Sequence, residues 1–199
     1  MAKDYLKEIV KLARVSQPKN VPTSKHWSRV EKEIGYVFPD DYKNLFLSLG
    51  EGHFGANLRF ENPACPFEVN RLGHKLLIDH LEWFKGVEKS TSLKFYPDKE
   101  GLIFIGHIDR NDFFYQPKKG TKKLSRIVWI DSDLNTVQHI GDPLMAFLYK
   151  LYMGLYPKDL FPNNALEDLR ACIWHNGNAA GDDTFFGPSN RDRPFFTGW

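Results

Sequence analysis

The sequence predicts a domain that joins α-helices to an antiparallel β-meander. Three observations predict it. Apolar residues recur at helical spacing through the first fifty positions. Between Leu102 and Ile140 the period changes to short β-rich runs divided by turn residues. After Asp142-Pro143 the helical period returns. Consecutive short strands with short connections pair as neighbours, which makes the middle of the chain a meander.

Taken in order, Tyr5, Leu6, Ile9, Val10, Leu12 and Ala13 form the apolar face of a first helix, and Pro18 and Pro22 break the segment after it. Thr23 or Ser24 caps a second helix carrying Trp27, Val30, Glu31 and Ile34, ended by Gly35. Pro39 suits the first turn of a third helix, where its missing N–H costs nothing. Asp40 and Asp41 follow where the helix dipole favours negative charge. Tyr42, Leu45, Phe46 and Leu49 are its buried stripe, and Gly50 and Gly52 terminate it. Phe54–Phe60 reads as a strand, Asn62–Asn70 as a loop with two prolines, and Leu76–Trp83 as a helix. The meander strands are expected at Leu102–Ile108, Asp112–Gln116, Ser125–Ile130 and Thr136–Ile140, with the last helix running from Asp142-Pro143 through Met153 to a stop at Gly154.

The segment 155–199 differs. One short helix, Asn164–Trp174, precedes a stretch rich in Gly, Asn, Asp and Pro that still holds Phe185, Phe186, Phe195, Phe196 and Trp199. Disordered tails carry few aromatics. Two readings stand: an arm whose aromatics pack back on the domain, or one that binds a partner or exchanges between copies.

Composition narrows the function classes. With 42% apolar and 26% charged residues the chain reads as a soluble globular protein, and a net charge of +2 gives no strong field toward nucleic acid or membrane. Two cysteines are too few for a disulfide framework. The N-terminal helix carries both charge signs, unlike a signal peptide, and no apolar run approaches the roughly 20 residues that span a bilayer, so the expected compartment is the cytoplasm.

Chemistry-bearing patterns are sparse. No His-Glu-x-x-His or Cys-x-x-Cys spacing occurs, although His107 and His139 lie on predicted strands and could approach each other in space. There is no Gly-x-Ser-x-Gly elbow and no phosphate loop. Asp131-Ser132-Asp133-Leu134-Asn135 evokes a calcium loop but has Thr136 where glycine belongs and Asp142 where the closing glutamate belongs, so a turn is the simpler reading. No metal, cofactor or catalytic residue is expected. The densest charge cluster is Lys118, Lys119, Lys122 and Lys123, with Arg126 beyond. It reads either as a solvated hairpin tip that discourages edge pairing or as a patch that steers an acidic partner.

Glu31, Gly35, Phe38, Pro39, Asp41, Tyr42, Leu45, Phe46, Gly50 and Gly52 together resemble the diagnostic element of the SMI1/KNR4 family, the SUKH superfamily. That element is a Glu-x-x-x-Gly helix end, an apolar-Pro-x-Asp-Tyr helix, and a glycine turn. Gly101–Gly106, the Asp109-Arg110-Asn111-Asp112 turn with Phe113 and Tyr115, Ile127–Asp131, and Phe147-Leu148 resemble later family elements in order. The resemblance is best over 24–154, and the domain is taken as 1–154, with 155–199 as an extension. In two places the chain departs from the pattern: Leu49 replaces a common Asn, and Glu51 splits the glycine pair.

The resemblance implies an α+β fold, with N-terminal helices and a C-terminal helix on a bent antiparallel sheet. It implies a non-enzymatic protein-binding module. Most bacterial members are thought to be immunity proteins that neutralise polymorphic toxins, often nucleases; fungal relatives act as regulatory scaffolds of cell-wall synthesis. The expected partner is thus a protein, a cognate toxin domain, and not nucleic acid or membrane, with the chain a monomer or homodimer. Candidate contact residues are Asp109, Asp112, Asp131 and Asp133, as an acidic rim on adjacent turns, with Arg110 and Asn111 in the first of those turns, and Lys118, Lys119, Lys122 and Lys123 on the basic loop.

Overall fold

The computed structural model describes residues 4–15, 17–54, 58–66, 84, 93–108, 111–131, 136–156 and 174–176. Helix α1 spans Tyr5–Ala13, capped by the Asp4 carboxylate, which accepts from the Lys7 N–H at 3.1 Å. Helix α2 spans Ser24–Ile34, and Thr23 is its cap: the Thr23 hydroxyl accepts from the His26 N–H, and the His26 ring accepts from the Thr23 N–H. Gly35 ends α2 in the left-handed region at φ 78°. Helix α3 spans Asp40–Leu49. Pro39 is its N-cap residue, one position earlier than the sequence suggests, with extended backbone angles.

The stretch expected as one strand is two. Strand β1 (Gly52–Phe54) and strand β2 (Leu58–Phe60) pair antiparallel, Phe54 opposite Leu58. The intervening Gly55-Ala56-Asn57 is turn chemistry in sequence, which the run of flanking apolar residues hid. Gly52 therefore opens a strand rather than closing a helix.

The meander follows as β3 (Ile103–Ile108), β4 (Asn111–Pro117), β5 (Leu124–Asp131) and β6 (Thr136–Ile140), then helix α4 (Leu144–Tyr152). Strand β7 (Trp174–Asn176) pairs antiparallel with β1. Among the described residues the sheet runs β6-β5-β4-β3-β2-β1-β7, every neighbour antiparallel. This is the α+β architecture. Trp174, expected to end a helix, is in a strand, so the C-terminal segment adds an edge to the domain's sheet. The helices expected at Leu76–Trp83 and Asn164–Trp174 otherwise lie outside the described residues, as does the aromatic arm.

Strand alternation sorts the side chains into two layers. On one face Phe113 meets Phe147 of α4 at a ring separation of 5.3 Å, Tyr115 meets Tyr42 of α3 at 5.5 Å, and Phe54 meets Tyr152 at 6.5 Å. Helices α1, α3 and α4 cover this face and carry the buried Ile9, Leu45, Phe46 and Leu148. On the other face Phe104 and Phe114 form a second cluster with Phe84 and Phe95, at separations of 4.9 to 5.7 Å. The abundant phenylalanines described thus lie in packed layers rather than in an exposed patch.

Candidate functional site

The residues that carry the family resemblance are engaged within the chain. The Glu31 carboxylate accepts from the Phe38 N–H at 2.9 Å and pairs with the Lys43 ammonium at 2.6 Å, fixing the passage from α2 into α3. Tyr42 is fully buried, stacked on Phe38 at 5.1 Å, and its hydroxyl donates to the Glu61 carbonyl. Asp41 reaches farthest. Its Oδ1 accepts from the Tyr42 N–H at 2.9 Å, and its Oδ2 accepts from the Leu144 N–H at 2.6 Å. Helix α4 begins after Pro143, which has no capping side chain, so Asp41 supplies the cap from another helix. Burial pushes the Asp41 carboxyl above the ordinary value, and the main-chain donors only partly offset it.

Of the expected acidic rim, the part that falls on described residues is buried rather than exposed. Asp109, Arg110 and Asp133 lie outside the described residues. Asn111, Asp112 and Asp131 are buried. Asn111 sits opposite Asp131, and its amide donates to the Ile108 carbonyl at 3.3 Å. Asp112 lies opposite His107, in a row that continues across the sheet to Arg59 and His53. Arg59 pairs with the buried Glu61 at 3.2 Å. Alternation turns Asp112 into this polar layer, and a turn-based reading of the sequence does not see that.

The basic loop is where the sequence places it. Lys118, Lys119, Lys122 and Lys123 are all exposed at the β4–β5 connection. Among the described residues none of them makes an ion pair. The loop itself is fastened. Lys118 N–H donates to the Lys123 carbonyl at 2.8 Å, and Thr121 closes the turn through its N–H and hydroxyl on the Lys118 carbonyl. Val37 bonds alongside, donating to the Lys122 carbonyl at 2.7 Å and accepting from the Leu124 N–H at 3.3 Å.

Beside the hairpin is a cleft of about 590 Å³ between the starts of α3 and α4 and the outer edge of β5, lined among others by Pro39, Asp41, Tyr115, Arg126, His139 and Pro143. Tyr115 is 2% exposed, and its hydroxyl has no hydrogen-bond partner. Burial first, then the neighbouring Asp41 and Tyr42, push that phenol well above its ordinary value, so it remains a neutral donor. Sequence reasoning missed this cleft because four separated segments build it.

Two other candidates resolve. Three strand spacings separate His107 on β3 from His139 on β6, on the order of 14 Å, so the pair does not converge. Among the described residues no group of three His, Cys, Asp or Glu is placed to hold a metal. Cys65 is buried, and its thiol donates to the Glu51 carboxylate at 3.0 Å, which gives it a hydrogen-bonding role inside the fold.

Asp142 closes the cleft's lower side. Its oxygens accept from the Lys150 ammonium at 2.6 Å and from the Tyr156 hydroxyl at 2.7 Å. Partial burial pushes its carboxyl up, but those hydrogen bonds outweigh it and hold the value below the ordinary one. A lowered folded value means the group adds stability above about pH 4 and loses it as pH falls through the folded value. Asp142→Asn is expected to be slightly less stable than the parent at neutral pH and to converge with it in acid. Urea midpoints measured from pH 7 to pH 2 check this; a gap that widens in acid would contradict it.

Among the described residues no helix is long and apolar enough to cross a membrane. No curated protein and no solved structure matches the chain. The model of the SMI1 / KNR4 family (SUKH-1) matches residues 22–150 of the 199, spanning α2 through most of α4, and the chain belongs to that family.

Proposed function

We propose that this protein is a non-enzymatic binding module, an immunity protein that neutralises a bacterial polymorphic toxin by direct contact. Family membership supports a binding role. The observation that carries the reading is the β4–β5 hairpin: four exposed lysines, without ion pairs among the described residues, on a turn whose main chain is bonded to Val37. Such a preformed cationic surface binds with little ordering cost and accelerates encounter with an acidic partner. It does not imitate nucleic-acid phosphate. Even against a nuclease, inhibition would then come from docking on an acidic surface and covering the active cleft.

The test is co-purification of the chain with the toxin domain encoded beside its gene, together with rescue of cells expressing that toxin. Joint elution and rescue are expected. A chain that neither binds nor rescues, yet captures a host regulatory protein, would favour the scaffold role instead.

A further inference from the structure

Val37 is an exposed apolar residue fastened to the basic hairpin. It is 43% exposed, while Phe38 after it is buried. It bridges Lys123, its N–H donating to the Lys122 carbonyl and its carbonyl accepting from the Leu124 N–H. The pairing of Pro117 with Leu124 sets Lys118 opposite Lys123, so Lys118, Lys123 and Val37 form one row across three neighbouring segments. Residues in such a row project to the same side of the strands. A fourth segment closes on the hairpin tip. The Glu100 carboxylate accepts from the Gly120 N–H at 3.3 Å, and the Glu100 N–H donates to the hydroxyl of Tyr36, the half-buried neighbour of Val37. Main-chain groups of the hairpin thus hold an apolar spot at the border of four exposed lysines.

Three kinds of occupant fit this surface poorly. A second copy of the chain would bring the same lysine patch against itself. A nucleic-acid strand gains from the lysines, but its phosphates meet the Glu100 carboxylate at the tip and leave Val37 uncovered. A small ligand has no hollow to enter, since Val37 does not line the cleft. A protein surface answers both features at once: acidic side chains opposite the lysines and an apolar side chain on Val37, a dry contact inside a charged rim.

We propose that Val37 is the apolar anchor of the partner interface. An aliphatic side chain of the partner packs on Val37, and acidic side chains flanking it meet Lys118, Lys122 and Lys123. This rests on the protein-binding reading above and adds where the contact is centred and what the partner presents there. The lysines then govern the rate of encounter, and Val37 the lifetime of the complex.

The test uses the full chain and two capped peptides, acetyl-Asp-Glu-Leu-Glu-Asp-amide and the same sequence with Ser at the centre. A thymidine pentanucleotide of equal charge is the third ligand. Binding is followed by main-chain amide NMR shifts. The Leu peptide is expected to shift Val37, Gly120, Lys123 and Leu124 saturably and to bind about fivefold tighter than the Ser peptide, the scale of partly burying one aliphatic side chain. At higher ionic strength both affinities should fall and their ratio should hold. Val37→Ser should erase the ratio, and Val37→Thr, which keeps the branched shape, should reduce it. Both variants keep the main-chain bonds at this position, so their melting temperatures should match the parent's. Equal binding of the two peptides, a ratio that survives both substitutions, or a pentanucleotide bound tighter than either peptide would each overturn the proposal. The two readings fail separately. A toxin domain that leaves the parent and Val37→Ser at the same rate removes the anchor and keeps the immunity role. A Val37-dependent preference for Leu in a chain that binds no toxin does the reverse.

Discussion

Replacing Tyr42 by alanine is expected to lower the unfolding free energy by about 3–5 kcal/mol, the range for removing a large buried aromatic. The ring is 0% exposed. It stacks on Phe38 at 5.1 Å and meets Phe46, Tyr115 and Trp27 edge-on at 5.2, 5.5 and 6.0 Å. Truncation would open a cavity at the junction of α2, α3 and the sheet. It would also leave the Glu61 carbonyl without the Tyr42 hydroxyl that donates to it. Tyr42→Phe separates the two effects: it keeps the ring and should cost about 1 kcal/mol for the hydrogen bond alone. Urea unfolding of both variants measures this. An alanine variant as stable as the parent would mean the ring is not at the centre of the core.

Gly50→Ala is expected to cost upwards of about 3 kcal/mol, through strain and collision together. Gly50 adopts φ 72° and ψ −161°, a region essentially closed to other residues. A Cβ there would stand 2.0 Å from the Lys19 carbonyl oxygen, the atom that accepts the Glu51 N–H at 2.9 Å. The chain between α1 and α2 therefore passes too close for any side chain. Gly35 is the control. It is also left-handed, at φ 78°, but a Cβ there would meet nothing within 4 Å, so Gly35→Ala should cost only about 1–2 kcal/mol of backbone strain. If the two substitutions were equally costly, contact between Lys19 and Gly50 would not be the reason.

These two residues show what could be read from the sequence and what could not. The apolar stripe Tyr42, Leu45, Phe46 and Leu49 is a local pattern, and all four are buried. The strands of the meander lie within a residue or so of their expected limits, because alternation and turn chemistry are local too. Long-range partners leave no such trace. Asp41 looks like a first-turn acid beside the α3 dipole, yet its carboxylate also caps a helix 103 residues later. Gly50 looks like an ordinary helix stop, but its strictest constraint comes from Lys19. Asp112 and Asp131 look like turn acids and are buried, because strand registration rather than sequence position chooses their neighbours. The lysines of the hairpin were legible because a turn rich in like charges must face solvent. The cleft beside them was not, since Pro39, Tyr115, Arg126 and Pro143 come from four segments that meet only in the folded chain.

In this family member the side chains from Glu31 to Phe46 hold helices α2, α3 and α4 on the sheet, and the proposed contact surface is the exposed hairpin. Calorimetric and stopped-flow titration with the cognate toxin domain that the proposed function calls for tests that division directly, using the parent and a variant with Lys118→Glu, Lys119→Glu, Lys122→Glu and Lys123→Glu. All four side chains point to solvent, so the melting temperature should hold. The association rate should fall by about 10- to 100-fold at low salt and lose most of its dependence on ionic strength. A variant that binds as fast and as tightly as the parent would contradict the account.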